Sequence, residues 1–579
     1  MLASLIVFLL SHIAVGNAKC FEPTPAFPLP RWDNGGPELE PAFQLLETNI
    51  QDLASQAKYD NTSFSIEVTS LQGSLWSYHH SARVHNESRP GVTHVDSLSQ
   101  YRIASITKVF TTLAILYQHD AGNLSLDDPV LNYISELRSD EYELPWKDIT
   151  IRVLASQLSG IPREFAQGDL LNLVPDPSAL GLPPVSQDAL PTCDEYDSYK
   201  PCDRGEFLGE LKGKKPLFAP NQKSTYSNLN FELLGLVLEN VTGMPYSDYI
   251  QQAIFDPLEM TESSLSTPSD EHAVLPAMAD GFNYWDVDEG VQAPTGGIYS
   301  TSSDLSKFIR YTLSHYNTLA TGVNWFLPAS WATGMNTFYG MPFETFRTDK
   351  ILRDSRRPVT FVTKAGGLPG YYSRISMLEE YGLGITILVG GTNEILEPLN
   401  ELVSVALVRA AEEIAWQRMA VDYPGTYAPI RSDLNTSLVL ATSPSKGLHV
   451  ETFISNGTDV LAALLSKSAP GDDAEQKQRW HAQLVPTLLF ENEEAPKGEI
   501  WRMQVVSERS EEQQLSAGVW DEFCPTDLEG PLYAGVPVNK IVFWHELGTV
   551  ELPAWNISMK RVSMSKDMKD NLFVQKQDL

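Results

Sequence analysis

The sequence predicts an α+β chain: an antiparallel sheet flanked by helices, with a helical region inserted between its first and last strands, and then a C-terminal all-β domain. Three observations carry this. Alternation of apolar and polar residues appears before residue 80 and returns after residue 358. Between those points apolar residues recur three and four apart, the spacing of one helix face. Beyond Tyr423-Pro-Gly-Thr-Tyr427 short alternating runs take over. Strands, then many helices, then strands again is the order of a sheet closed by the two ends of its own domain.

Residues 1–18, MLASLIVFLLSHIAVGNA, have a short apolar run from Leu2 to Leu10 and small residues at Gly16 and Ala18. That is the pattern of a secretory signal peptide cleaved after Ala18. A membrane span needs roughly 18 apolar residues, and His12 and Asn17 interrupt this run. Residues 19–37 form a Pro/Gly-rich N-terminal segment. A domain over 38–420 follows. It opens with helical spacing at Leu45, Leu46, Ile50 and Leu53, then a hairpin of SFSIEVTS and SLWSYHH around Gln72-Gly73. Helices are expected over 105–120, 150–158, 229–242, 246–254 and 303–315, strands over 358–364, 370–378 and 383–390, and a long helix over 395–419. Residues 421–579 read as a small barrel or sandwich, from SLVLATS, GLHVETFIS, KGEIWRMQVVS, NKIVFWHEL and AWNISMKRV, with a disordered loop at 466–478.

A formal net charge of −32 repels nucleic acid and anionic membrane surfaces, so neither is an expected partner; it suits solubility outside the cell. Seven Asn-x-Ser/Thr acceptors, at Asn61, Asn86, Asn123, Asn240, Asn435, Asn456 and Asn556, fit a glycosylated protein that is secreted or held in the secretory lumen. Four cysteines are too few for a disulfide scaffold. Of three possible pairings, loop-closure economy favours Cys193 with Cys202 around a polar loop, which leaves Cys20 and Cys524. No CxxC, HxxxH or HExxH spacing is present, so no metal and no cofactor is expected. The oligomeric state is not legible.

The chemistry starts at YRIASITKVFTTLAILYQ, which contains Ser105-Ile-Thr-Lys108. Serine three before lysine also occurs at Ser55/Lys58, Ser443/Lys446 and Ser563/Lys566. Context separates them. Ser55 ends a helix, Ser443 precedes a proline and Ser563 lies near a polar terminus. Ser105 alone of the four has a strand-like approach and a strong helix after it. Residues three apart share a helix face, so Lys108 can reach the Ser105 hydroxyl. A buried lysine with a lowered pKa can act as base. The Ser105 N–H can serve a developing oxyanion at the helix start. Tyr226-Ser-Asn228 opens a second helix. A tyrosine beside two cations can titrate low enough to move a proton. Asn228 can hydrogen-bond a substrate amide, or cap the helix. Lys364-Ala-Gly-Gly367 follows an apolar strand, where glycines let a backbone approach and a strand edge can pair an extended acyl chain.

SxxK, YxN and KxG in this order resemble the serine β-lactamases and penicillin-binding proteins, in the branch of class C β-lactamases, DD-peptidases and esterases. ITIRVLASQLSGIP, YSNLNFELLG, DPLEMTESSL and GGIYSTSSDLSKF are similar to further signatures of that family, over about residues 40–420. The resemblance implies a β-lactamase/transpeptidase-like fold with Ser105 as acylated nucleophile. It implies Lys108 and Tyr226 sharing proton transfer, and Lys364 holding the tyrosine's proton state or a substrate carboxylate. It places the oxyanion hole at the N–H groups of Ser105 and Gly367, with Asn228, Ala365 and Gly366 at the substrate. Ala365 stands where many relatives carry a hydroxyl that binds substrate carboxylate, which argues against β-lactam turnover. No glutamate occupies a deacylating context. Residues 165–215 read as a lid or rim of the pocket. The expected function is a secreted serine hydrolase of a small-molecule ester, amide or lactam. The alternatives are a transacylase or macrocyclase of secondary metabolism, and a non-catalytic binding protein on the same fold.

Overall fold

The computed structural model describes residues 27–563 except 33–34, 140, 165–169, 171–173, 175, 187–192, 194–199, 279–280, 354–356, 432–434, 444–445, 469–479 and 508–527. The signal peptide, Cys20, Cys524 and most of the 466–478 loop lie outside the described residues. Arg31–Thr348 and Val359–Leu407 form one compact unit. The described residues of Met1–Pro30, Asp349–Pro358 and Val408–Leu579 form the other.

In the first unit β1 (Ser63–Ser70) and β2 (Ser74–His80) make the expected hairpin. A short pair, β3 (Tyr101–Arg102) and β4 (Tyr299–Ser300), stands apart from the main sheet. Three further strands follow: β5 (Ser330–Trp331), β6 (Thr337–Tyr339) and β7 (Glu344–Thr348). Then come β8 (Val359–Leu368), β9 (Tyr371–Leu378) and β10 (Leu383–Gly390). The main sheet runs β2-β1-β10-β9-β8-β7-β6-β5. β1 pairs antiparallel with β10 from Ser63↔Gly390 to Ser70↔Leu383, so strands from opposite ends of the unit meet as expected. β1 departs from its sequence pattern in one respect: it is buried at every position. Phe64, Ile66 and Val68 give it an apolar face. The polar face is covered too, and two of its groups are hydrogen-bonded: Ser65 Oγ lies 3.1 Å from Tyr101 Oη and Arg310 donates to Thr69 Oγ1 at 2.9 Å, whereas Glu67 Oε2 is buried with no partner among the described residues.

Among the described residues the helices of this unit include α1 (Glu40–Ala54), α2 (Thr107–Asp120), α3 (Ile151–Ala155), α4 (Arg204–Glu210), α5 (Leu229–Thr242), α6 (Tyr246–Ile250), α7 (Ala293–Gly296) and α8 (Ser302–His315). α2 is buried from Thr107 to Leu116 and α5 from Leu229 to Leu238, so both helices run through the core. α9 (Leu396–Asp422) begins in this unit and continues into the next.

The second unit is built from β11 (Gly425–Pro429), β12 (Ser437–Ser443), β13 (Gly447–Ser455), β14 (Thr458–Asp459), β15 (Trp480–Asn492), β16 (Lys497–Ser507), β17 (Leu532–Tyr533), β18 (Val536–Pro537), β19 (Lys540–Trp544), β20 (Thr549–Leu552) and β21 (Ile557–Ser563). Its main sheet runs β12-β11-β21-β20-β19-β16-β15-β13-β14, and β12 also pairs with β13. The run therefore closes into a barrel, which removes the edges that an open sheet exposes. A helix over Val460–Ser468, not expected from the sequence, interrupts it.

Candidate active site

The first element is the turn at Ser105. β3 leads in, pinned to β4, and Ile103 donates to Ile298 O at 3.0 Å. Ala104 then takes φ 49°, the left-handed region that side chains disfavour by roughly 1–2 kcal/mol. A single 3-10 turn, Ala104–Ile106, precedes α2. Ser105 therefore sits in this tight turn, two residues before the α-helix rather than in its first turn. The strain lifts Ser105 to a part-exposed position while Lys108 stays fully buried. Lys108 Nζ donates to Ser105 Oγ at 2.9 Å and to Thr295 O, in α7, at 2.9 Å. Beneath the turn, buried Arg102 is ion-paired with buried Glu289 and donates to Tyr299 Oη at 2.7 Å. Burial pushes the Glu289 carboxyl above its ordinary range, with Arg102 and Lys108 opposing.

Tyr226 stands on the loop before α5. The Ser227 N–H donates to Gln157 Oε1 and its hydroxyl to Pro162 O, both at 2.8 Å, which fixes that loop. Tyr226 Oη donates to Ser105 Oγ at 2.9 Å. Three cations surround its ring: Arg163 at 4.7 Å, Lys364 at 5.1 Å and Lys108 at 5.2 Å from the centroid. Burial raises the phenol's pKa, but Lys108 and Lys364 outweigh it, and the net shift is downward. Asn228 does not cap α5 with its side chain. Its Nδ2 donates to Glu164 Oε1 at 2.9 Å, and Glu164 also pairs with Arg163 Nε at 2.9 Å.

The third element lies inside β8, which runs on through Leu368 instead of ending near residue 364. Lys364 Nζ donates to Glu344 Oε1 and to Ala365 O, each at 2.8 Å. Burial draws the Lys364 ammonium down, but Glu344 and Tyr226 hold it above its ordinary value. Gly366 packs on the Ser105 turn. A Cβ there would stand 2.5 Å from Ile103 O and 3.0 Å from the Ser105 nitrogen. This is the close backbone approach that requires glycine, and it brings Gly367 beside the nucleophile turn. Serine, lysine, tyrosine and the second lysine are thus gathered at one point. A hydroxyl flanked by an amine and a low-titrating phenol can be deprotonated as it attacks a carbonyl.

Glu344, Arg163 and Glu164 were not singled out from the sequence. Glu344 lies in MPFETFRT, where it has no motif around it. The other Ser-x-x-Lys pairs have different contacts. Ser55 Oγ donates to Asp52 O and Lys58 lies 3.8 Å from Glu394. At Ser443 it is the Lys446 backbone N–H that donates to the hydroxyl, at 3.1 Å. Lys566 lies outside the described residues. Cys193 and Cys202 are disulfide-bonded. Among the described residues, no group of three or more His, Cys, Asp or Glu side chains is gathered to hold a metal. Of the seven glycan acceptors, Asn61 and Asn86 are part-buried and the rest are exposed.

Comparison with known proteins adds the following. A family model described as "Beta-lactamase" matches residues 73–408, and one described as "Beta-lactamase-like-like, C-terminal domain" matches 415–563. "Probable hydrolase M10" of Phoma sp. is 32% identical over 94% of this chain and 92% of that one. "Probable hydrolase clz13" of Cochliobolus lunatus is 30% identical over 97% of this chain and 95% of that one. Among solved structures, a beta-lactamase/D-alanine carboxypeptidase from Pseudomonas syringae aligns at TM-score 0.49 and 17% identity, over 64% of this chain and 99% of that one.

Proposed function

Because the chain belongs to the beta-lactamase family of serine hydrolases, we propose that it cleaves an ester, amide or lactam through an acyl-enzyme on Ser105, and that it works outside the cell or in the secretory lumen. The observation that carries this reading is the double contact at Ser105 Oγ, 2.9 Å from Lys108 Nζ and 2.9 Å from Tyr226 Oη.

In this mechanism Tyr226, as phenolate, takes the Ser105 proton while Oγ bonds to the substrate carbonyl carbon. The carbonyl electron pair moves to oxygen, and the N–H groups of Ser105 and Gly367 receive it. One such donor is worth roughly 2.7–4 kcal/mol in the transition state. The tetrahedral species then expels the alcohol or amine, which recovers the proton from Tyr226. Water repeats the sequence on the acyl-enzyme, releasing the acid and restoring the Ser105 hydroxyl. Lys108 and Lys364 favour the phenolate throughout. Ala365 has no hydroxyl for a substrate carboxylate, which favours esters and amides over β-lactams. The signal-like run Leu2–Leu10 and the seven glycan acceptors support export. A fluorophosphonate probe should label the protein, and Ser105→Ala should abolish labelling. Undiminished labelling of that variant would overturn the assignment.

A further inference from the structure

β7 pairs with β8 from Glu344↔Thr363 to Thr348↔Val359 and stops there. Lys364 to Leu368 therefore have a strand partner on the β9 side and none on the β7 side among the described residues. The strand that carries this open edge packs on the Ser105 turn at Gly366, where a Cβ would stand 3.0 Å from the Ser105 nitrogen. An extended acyl chain held in the oxyanion site can pair with it, and one end of the edge is closed by Glu344. One carboxylate oxygen of Glu344 takes Lys364 Nζ at 2.8 Å, and the other accepts the Ala365 N–H at 3.3 Å.

The charge a ligand meets at this end follows from exposure. The Lys364 side chain is 1% exposed and that of Glu344 is 28% exposed. The cation is covered and the anion faces outward. Ala365 adds no hydroxyl that would soften the field for a carboxylate. Arg163 is exposed, but its guanidinium is shared with Glu164 and stacked on the Tyr226 ring.

We propose that Glu344 sets the charge of the acyl donor: the site accepts donors that are neutral or carry a cationic or N–H-donating group where the chain passes the end of β7, and turns away those with a carboxylate there. This rests on the acyl-enzyme reading at Ser105. A carboxylate on the donor would stand beside the Glu344 carboxylate, in a setting where like charges a few ångströms apart repel strongly. An ammonium or amide N–H would meet an acceptor.

The test uses p-nitrophenyl esters of equal chain length ending in a methyl, a carboxylate or a trimethylammonium group. For the unaltered protein the carboxylate ester should show kcat/KM at least about tenfold below the methyl ester, and the trimethylammonium ester should be no worse than the methyl ester. Glu344→Gln should narrow the carboxylate-to-methyl ratio by at least about threefold, whatever it does to overall rate. A carboxylate ester turned over closer than tenfold to its neutral match, a penalised trimethylammonium ester, or a ratio unmoved in Glu344→Gln would overturn the proposal. Fluorophosphonate labelling of the same samples keeps the two readings apart. With Ser105 labelled, those outcomes count against Glu344 alone; without labelling, the acyl-enzyme reading itself fails.

Discussion

Tyr226→Phe removes one oxygen atom and tests the proton path. The ring keeps its place among Arg163, Lys108 and Lys364, while the contact to Ser105 Oγ at 2.9 Å is lost. Two magnitudes can be compared. As structure, a neutral hydrogen bond contributes about 1 kcal/mol net, so the melting temperature should move by no more than about 4 °C. As chemistry, a positioned general base contributes about 10²–10⁴ in rate, which is about 2.7–5.4 kcal/mol in the barrier. The second effect is much the larger. Steady-state hydrolysis of a p-nitrophenyl ester, with a thermal melt on the same sample, separates them. The expected result is a fall in kcat of about 10²–10⁴ with KM little changed, the pattern of an interaction made in the transition state. A variant with kcat within about threefold of the parent would refute the proton path. So would a loss of activity that follows a loss of folded protein.

Other outcomes follow from the same contacts. The Tyr226 phenol is raised by burial and lowered further by Lys108 and Lys364, so it lies below its ordinary 10.0, and phenolate-dependent activity should rise with pH through that lowered value. Lys364→Met removes one of those cations, and the acid limb of kcat/KM should move to higher pH; an unmoved limb would contradict the electrostatic account. Glu289→Ala strands the buried Arg102 guanidinium without its counter-charge, a change that costs about 3–5 kcal/mol. Urea unfolding should show the loss, and a cost below about 1 kcal/mol would mean that the pair is not a structural anchor. Glycopeptide mapping of protein from a eukaryotic host should find sugar at exposed Asn435 and Asn456. It should find none at Asn61, which is part-buried and donates its Nδ2 to Ala277 O at 2.9 Å. A glycan on Asn61 would show that this hydrogen bond does not form.

What the sequence disclosed followed from how locally each feature is determined. Ser105 and Lys108 are three apart on one turn, so their meeting follows from helical spacing. Tyr226 precedes a helix with a strong apolar face, and α5 spans Leu229–Thr242, as that face implied. β1 and β10 were both legible as strands because each is a run of eight residues with clear patterning. β5, β6 and β7 were missed because they are short, lie toward one edge of the sheet and carry little periodicity in two to five residues. β15 was missed because Pro486 interrupts it, and that proline sits next to an irregularity in the pairing with β16. Glu344 illustrates the other limit. It meets Lys364 across twenty residues of sequence, and a lone glutamate on a short strand has no local pattern that could announce such a partner. The same holds for Glu289 under Arg102, which are 187 positions apart.

The decisive measurement is the mass of the protein after brief exposure to a slowly hydrolysed ester, followed by peptide mapping. The acyl-enzyme account predicts an added acyl mass on the peptide containing Ser105, gained as alcohol is released, lost again as acid appears, and absent in Ser105→Ala. Acid released at full rate by Ser105→Ala, or an adduct mapped to any other residue, would contradict it.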